Sequence, residues 1–223
     1  MAMEQRIGII GGTGPMGRGL AARLARAGVE IQIGSREVSR GEATARELTA
    51  RLGEDAAGIG GGSNADAARC AIVVLAVPFD SLEATLDTIE GSVGEALIVS
   101  TVNPLAFDAA GPRPLVLEAG SAAEYIASRF PASRVVAAFN TVAGPVLNDL
   151  EHPVEDDVLV AGDDPEAVEA VVALADRIEG ARGVAAGKLR LAVVLESLTP
   201  VLISVNSRYR THAGVRLSRL TTS

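Results

Sequence analysis

Short apolar runs alternate with amphipathic stretches along the chain as far as Asn140. Arg6–Gly11 and Val29–Gly34 are apolar runs of strand length, and Gly14–Ala27 between them carries apolar residues at helical spacing. Ala71–Val77 is apolar at every position, which is typical of a parallel strand buried on both faces. The pattern predicts successive strand–helix–strand units around a parallel sheet.

The same pattern supplies the remaining elements of this block. Helices are predicted at Arg40–Leu52, Asp80–Ile89 and Ala119–Phe130, and strands at Gly58–Gly62, Ala96–Ser100 and Val135–Phe139. Ala109–Pro114 is rich in glycine and proline, and we predict a loop there.

The pattern changes in the C-terminal part of the chain. A short strand is predicted at Val158–Ala161 and a helix at Asp163–Ile178. A long apolar helix is predicted at about Lys188–Ser207, where Pro200 is expected to remove one backbone bond and kink the helix.

A glycine-rich loop joins the first predicted strand to the first predicted helix. Gly12-Thr13-Gly14-Pro15-Met16-Gly17 has the spacing G-x-G-x-x-G in the strand–loop–helix context that dinucleotide binding requires. Gly12 permits the tight turn, Gly14 lets the backbone approach a pyrophosphate, and Gly17 lets the helix pack on the strand. The helix N-terminus faces the negative charge, so we expect a dinucleotide at this loop.

The residues after the second predicted strand indicate which dinucleotide binds. An NAD enzyme usually places an Asp or Glu there, on the hydroxyls of the adenine ribose. This chain has Ser35 and Arg36, with Arg40 nearby, and arginine forms charge-assisted bidentate bonds to phosphate. Glu37 is the competing NAD assignment, although it lies beyond the usual position. We predict NADP, held at its 2′-phosphate by the hydroxyl and the two guanidiniums.

These features predict an α/β fold. We expect a Rossmann-type doubly wound parallel sheet with a small C-terminal α+β domain that contains the long apolar helix. Residues 1–142 are predicted to form the NADP-binding domain and residues 143–223 the small C-terminal domain.

Composition narrows the class of protein. The chain has 223 residues and a net charge of −8, which argues against a general nucleic-acid binder. The N-terminus lacks the features of a signal peptide, and the apolar stretch Leu191–Val205 is interrupted and falls short of a membrane span. We expect a cytoplasmic protein without nucleic-acid or membrane partners.

Candidate chemistry based on histidine or cysteine has little support in the sequence. His152 and His212 are the two histidines and show no metal-ligand spacing, so neither a metal site nor a hydrolase triad is expected. Cys70, the single cysteine, lies beside a predicted buried strand and is expected to be a core residue.

Four motifs resemble those of the NADPH-dependent coenzyme F420 reductases. They are GGTGPMG at 11–17, GSR at 34–36, the strand end AVP at 76–78 and ESLTP at 196–200. The first two occur in many NADP proteins, whereas ESLTP after a Rossmann domain of this size is far more specific. The resemblance runs nearly end to end and implies reversible hydride transfer between NADPH and the deazaflavin ring of coenzyme F420, in a homodimer.

The resemblance also implies roles for individual residues. By this resemblance the pyrophosphate would be held by Thr13, Gly14, Pro15 and Met16, and the 2′-phosphate by Ser35, Arg36 and Arg40. The nicotinamide would lie over Val77 and Pro78. The deazaflavin pocket would be lined by Asn103, Ser197, Thr199, Pro200 and Gly214-Val215.

Two positions depart from the family pattern. Pro15 has no N–H to offer a phosphate, and Asn140 stands where some members carry a histidine near the hydride path. Asn140, Ser197 and Thr199 are therefore expected to position the rings, with no residue acting as acid or base.

Two alternatives stay open at this point. An NADPH-dependent imine or keto-acid reductase has a similar plan, but such enzymes usually devote more chain to the C-terminal dimerisation domain. Lys188, the single lysine, is the residue that such chemistry would want as acid or base. A non-enzymatic NADPH-sensing module would bind the dinucleotide without turnover.

Overall fold

The computed structural model describes residues 6–53 and 56–220, so residues 1–5, to which the signal-peptide expectation refers, lie outside the described part. Within it the chain forms ten β-strands and eight α-helices. The strands are β1 (Ile7–Ile10), β2 (Ile31–Ser35), β3 (Ile59–Ser63), β4 (Ile72–Leu75), β5 (Leu97–Ser100), β6 (Leu105–Asp108), β7 (Gly111–Pro114), β8 (Arg134–Ala137), β9 (Asp157–Gly162) and β10 (Arg182–Gly187). The helices are α1 (Pro15–Arg26), α2 (Val38–Leu52), α3 (Asn64–Ala68), α4 (Leu82–Ile89), α5 (Ala122–Arg129), α6 (Gly144–Asn148), α7 (Pro165–Asp176) and α8 (Ala192–Tyr209).

Eight of the strands form one sheet in the order β10-β9-β8-β5-β4-β1-β2-β3. Neighbouring strands from β3 to β8 are parallel, and the strand order reverses between β1 and β4. This arrangement confirms the predicted Rossmann-type doubly wound fold. In such sheets ligands bind outside the carboxyl ends of the strands, at the point where the order reverses.

Alternate residues of the central strands fill two apolar cores, one on each face of the sheet. In β1, Ile9 packs into one core and Ile10 into the other, and in β4, Val74 and Val73 divide in the same way. All four side chains are buried. Because both faces are covered, these strands need apolar residues at every position, which is why their sequences are continuous apolar runs.

The chain beyond residue 142 extends the same sheet. β9 runs antiparallel to β8, with Ala137 opposite Ala161, and β10 runs parallel to β9. Between them lies α7, whose N-cap Asp164 accepts a hydrogen bond from the Ala167 N–H at 2.7 Å. Because β9 is antiparallel, its first residue, Asp157, lies at the edge where the parallel strands end.

The prediction of a loop at Ala109–Pro114 is wrong, because β6 and β7 pair as an antiparallel hairpin. Gly111 has a φ of +114°, a conformation that glycine adopts without strain, and Asp108 accepts a bond from the Ala110 N–H within the turn. The two prolines of β7 lie on a two-stranded ribbon, where a missing donor is tolerated.

The helix α8 runs unbroken through Pro200 and packs against α5, β7 and β9. With the preceding 3-10 turn it spans Leu189–Tyr209 and is long and apolar enough to cross a membrane, so the length argument made from Leu191–Val205 does not hold for the whole helix. One such helix is weak evidence for a membrane, and here Leu195 and Glu196 are buried against the rest of the fold.

Candidate functional site

The glycine-rich loop between β1 and α1 is closely packed on both sides. A Cβ at Gly12 would lie 2.8 Å from Cγ2 of Ile33, and one at Gly17 would lie 2.5 Å from the Gly11 carbonyl oxygen. Gly14 is the N-cap of α1 and has no side-chain cap. The first N–H groups of α1 are therefore left for an anion, apart from the one that Pro15 lacks.

A residue that the sequence did not suggest supports this loop from outside. The side-chain amide of Asn148, at the end of α6, donates to the carbonyl oxygens of Pro15 and Gly144, each at 2.7 Å. α6 is thereby fixed against the start of α1, and the orientation of the Pro15 peptide depends on Asn148.

The end of β2 presents the residues assigned to the 2′-phosphate. Ser35 is buried, and its Oγ accepts the Glu37 N–H at 3.3 Å. Arg36 and Arg40 are exposed, and neither forms an ion pair within the described residues. The two guanidiniums are thus available to an anion beside β2.

A cavity of about 610 Å³ opens above the ends of β1 and β4, at the switch in strand order. It brings together six of the sequence-predicted residues: Gly14, Pro15, Met16, Val77, Pro78 and Asn103. Its far wall is the β6–β7 hairpin with the residues on either side, among them Leu105, Phe107 and Leu115. The sequence predicts no strand at Leu105–Asp108, so it does not indicate that this segment lines the cavity.

A second cavity, of about 520 Å³, lies between the end of β8 and α8. Met16 and Asn103 border both cavities, so the two adjoin. Asn140 and Thr199 are the other predicted residues on its wall. The sequence did not single out its remaining polar wall residues, which include Thr141, Asn206, Ser207 and Thr211, and it gave His212 no part in a site.

Hydrogen bonds hold Asn140 firmly in the wall of the second cavity. Its side-chain N–H groups donate to the Val102 carbonyl at 3.2 Å and to Oδ1 of Asn103 at 3.1 Å. Its backbone carbonyl accepts from the Asn103 amide at 2.9 Å and from the Thr199 hydroxyl at 2.8 Å. The buried Oδ1 of Asn140 has no hydrogen-bond partner among the described residues.

The residue before Asn140 has an unusual backbone. Phe139 is fully buried with a φ of +61°, in the left-handed region that bulky side chains avoid. Strain of this kind persists where the surroundings fix the chain, and it often marks a functional site. Here it turns the chain from β8 so that Asn140 meets Val102 and Asn103.

The other residues assigned to the deazaflavin pocket do not border either cavity. Ser197 is half-buried and Pro200 is buried in α8. Gly214 packs directly on the Asp156 carboxylate, and the Val215 carbonyl accepts the Asp157 N–H at 2.7 Å. The 214–215 segment therefore lies at the carboxyl edge of the sheet, fastened to the start of β9.

Two buried carboxyl groups near this edge have raised pKa values. Burial and, secondarily, neighbouring Asp157 raise the pKa of Asp156 to about 6. Burial and the charge of Glu124 raise the pKa of Glu196 to about 7, against two backbone hydrogen bonds that act to lower it. By contrast, bidentate bonds from Arg182 lower the pKa of Asp157.

Lys188 does not belong to the site. Its ammonium donates to the carbonyl of Asp163 at 3.0 Å. Asp163 follows the last residue of the antiparallel strand β9, on the side of the sheet away from the carboxyl edge. An acid–base role for Lys188, as a keto-acid reductase would require, has no support from this position.

Comparison with known proteins points in one direction. A family model described as NADP oxidoreductase, coenzyme F420-dependent, matches residues 6–104. A protein of Methanothermobacter thermautotrophicus named F420-dependent NADP reductase is 38% identical over 98% of this chain and 97% of its own length.

Solved structures agree in fold. A candidate F420-dependent NADP reductase from Arthrobacter sp. FB24 superposes with a TM-score of 0.81 at 26% identity, over 96% of this chain and all of that one. A reductive aminase from Aspergillus terreus gives a TM-score of 0.64 at 17% identity, and this chain covers only 63% of its length, so that likeness concerns the fold alone.

Proposed function

The chain belongs to the coenzyme F420-dependent NADP oxidoreductase family, and from that membership we propose that it catalyses reversible hydride transfer between NADPH and the deazaflavin coenzyme F420. The structural observation that carries the proposal is the pair of cavities that adjoin at Met16 and Asn103, above the switch in strand order. One cavity suits a nicotinamide and the other a deazaflavin, so two flat rings can meet at their boundary.

The residues around the first cavity fit NADP. Gly12 and Gly17 pack so closely on their neighbours that a Cβ atom would not fit at either position. Because these residues have no side chains, the backbone of the loop faces the pyrophosphate. The guanidiniums of Arg36 and Arg40, which form no ion pair within residues 6–53 and 56–220, suit a phosphate monoester together with Ser35. We assign the pyrophosphate to Gly12, Thr13, Gly14, Pro15, Met16 and Gly17, and the nicotinamide side to Val77 and Pro78.

The residues around the second cavity fit an amide-rich ring such as deazaflavin. The unpartnered Oδ1 of Asn140 accepts hydrogen bonds, and an N–H of such a ring is the donor that it lacks. The Thr199 hydroxyl donates its hydrogen bond to the Asn140 carbonyl, so we propose that Thr199 holds Asn140 in place. We propose that residues 143–223 complete the deazaflavin pocket, with Asn103, Asn140 and Thr199 on its wall. Within that segment, Ser197, Pro200, Gly214 and Val215 border neither cavity, and we assign them to the chain that supports this wall.

The side chains of this site align reactants rather than exchange protons. When both substrates are bound, one ring supplies a hydride and the other accepts it. Asn103, Asn140 and Thr199 carry amide and hydroxyl groups that stay uncharged near neutral pH, so they act as neither acid nor base. The aliphatic side chains of Val77, Leu105 and Leu115 exclude water from the first cavity, and the hydrogen-bonded asparagines fix its boundary.

We further propose that the enzyme is a cytoplasmic homodimer. Support for the dimer comes from the outward face of α8, where Val193, Val194 and Val201 are exposed. Exposed apolar side chains on one helix face are typical of a surface that a second subunit covers.

The decisive experiment mixes purified protein, NADPH and oxidised F420 and follows the deazaflavin absorbance. Loss of that absorbance with NADPH, and much slower loss with NADH, is the expected result. NADPH binding without turnover would instead favour the sensing module. Reduction of an imine or a keto acid, with F420 left untouched, would favour the alternative reductase. With NADPH deuterated at the transferred C4 position, the label is expected at C5 of the reduced deazaflavin.

A further inference from the structure

Glu196 is a buried carboxylate to which the hydride-transfer proposal gives no task. It is 3% exposed and lies on α8, directly before Ser197. Its Oε2 accepts the Ala122 N–H at 2.9 Å and its Oε1 accepts the Ala123 N–H at 3.1 Å. One carboxylate on α8 therefore takes both bonds from the first turn of α5.

These two bonds complete the N-terminus of α5. The first N–H groups of a helix lack partners within it. In α5 the Glu124 N–H donates to Oγ of the N-cap Ser121 at 3.0 Å, and the Tyr125 N–H donates to the Ser121 carbonyl at 3.0 Å. Glu196 supplies the acceptors for the first two, and its negative charge lies where the helix dipole favours an anion.

The turn of α8 that begins at Glu196 is weak in backbone bonds. Pro200 has no N–H, so the carbonyl of Glu196, four residues earlier, loses its helical partner. This same turn carries Ser197 and Thr199. Two side chains anchor it: Glu196 to α5, and Thr199 to the Asn140 carbonyl at 2.8 Å.

We propose that Glu196 is a positioning residue for the deazaflavin side of the reaction, because its bonds to α5 hold the turn of α8 from which Thr199 fixes Asn140. The identity of the substrate in this statement rests on the proposed function. The clamp itself, α8 against α5, rests on the contacts of Glu196 alone.

The clamp is expected to depend on pH. Burial, then the charge of Glu124 on α5, raises the pKa of Glu196 to about 7, so the carboxyl ionises across neutral pH. Arg113 of β7, Asp157 of β9 and Arg190 of the 3-10 turn also lie on elements packed against α8, but among the described residues only Glu124 acts on this pKa by its charge. The raised pKa means that the packed clamp favours the protonated carboxyl, so ionisation weakens the clamp as the pH rises to about 7.

The first test compares the wild type with Glu196→Gln over about pH 5.5–8.5, with both substrates varied. The amide keeps the size but can accept at only one atom, and its NH2 group meets a backbone donor. We expect wild-type kcat/KM for F420 to fall as the pH rises to about 7, and the variant to be flat and about tenfold below the low-pH value of the wild type. The KM for NADPH should stay within about twofold, because the hydrogen bonds of Glu196 and Thr199 go to α5 and Asn140 and not to the loop at 11–17.

Glu124→Gln is the matched control. It removes the charge that adds to the raised pKa of Glu196 but keeps an acceptor for Ser121, so the inflection should move to lower pH with the low-pH rate unchanged. A Glu196→Gln enzyme with the wild-type pH profile and rate would overturn the proposal.

The second test does not require turnover. The amide proton signals of Ala122 and Ala123 should titrate near pH 7 in the wild type and stay constant in Glu196→Gln. Wild-type signals that match those of Glu196→Gln at every pH would refute the clamp even in an active enzyme. Titrating signals in a protein that does not reduce F420 would uphold the clamp and refute the proposed function instead. The amide spectrum also shows whether the variant is folded.

Discussion

Arg36→Ala isolates the recognition of the 2′-phosphate. Arg36 is exposed at the end of β2 and has no ion pair among the described residues, so its removal breaks no contact that the fold needs. One charge-assisted contact to phosphate is worth about 1.5–3 kcal/mol, and each 1.4 kcal/mol is a factor of about ten. We therefore expect the KM for NADPH to rise about 10- to 100-fold.

The specificity of this effect separates recognition from structure. NADH has no 2′-phosphate, so its KM and kcat should hardly change. Arg46→Ala is the control, because Arg46 is an exposed arginine of α2 whose pair with Glu42 spans 3.8 Å and is worth little. The free energy of unfolding of both variants, measured in urea, should lie within about 0.5 kcal/mol of the wild-type value.

Initial rates with each nucleotide at saturating F420 decide the matter. An equal loss with NADPH and NADH would mean that Arg36 supports the loop rather than the phosphate. A loss in the Arg46 variant of the same size would mean that general positive charge, and no particular contact, draws the nucleotide in. Either result would refute the assignment of Arg36.

Three further substitutions test other contacts. Asn148→Ala removes the support of the Pro15 carbonyl and should raise the KM for NADPH about fivefold while that for F420 stays unchanged in the same kinetic assay; no change would make this bond incidental. Arg23→Met leaves four backbone carbonyls without their buried donor and should lower the free energy of unfolding in urea by about 3–5 kcal/mol; a loss under 1 kcal/mol, about one ordinary hydrogen bond, would contradict this. Burial raises the pKa of Asp156 to about 6 in the folded protein, so its carboxyl disfavours folding once it is ionised. The free energy of unfolding of Asp156→Asn should therefore equal that of the wild type below about pH 4 and exceed it by about 1–3 kcal/mol above about pH 6. A variant that is less stable than the wild type at about pH 8 would refute this direction of the effect.

Most of the fold could be predicted from local patterns in the sequence. The strands β1, β4 and β5 are buried on both faces, so their apolar runs stand out in the sequence. β10 was missed because its sequence, RGVAAG, is only half-buried and rich in small residues. The hairpin was missed because its glycine and prolines, which usually indicate a loop, here form a two-stranded ribbon outside the main sheet.

In the candidate site, too, local features could be predicted from the sequence and contacts between distant residues could not. The glycine spacing and the arginines after β2 follow rules that act within a few residues, so the sequence suggested them. The bond from Asn148 to Pro15 joins residues 133 positions apart, and that from Ala122 to Glu196 joins residues 74 apart. No periodicity encodes such contacts, and the motif ESLTP marked the segment without indicating that its glutamate and threonine bind backbone.

The ladder between β8 and β9 has a consequence for motion. It joins the NADP-binding strands to β9 and β10 in one sheet, so a hinge between residues 1–142 and the rest would have to break backbone bonds. Exchange of the two ligands then falls to parts outside that ladder. The β6–β7 hairpin is one, since among the described residues its strands pair only with each other and β7 is otherwise held by packing on α8. It walls the first cavity and leaves Phe107 largely exposed. Ligand exchange at the first cavity would then involve movement of the hairpin against a continuous sheet, and not the closing of two domains.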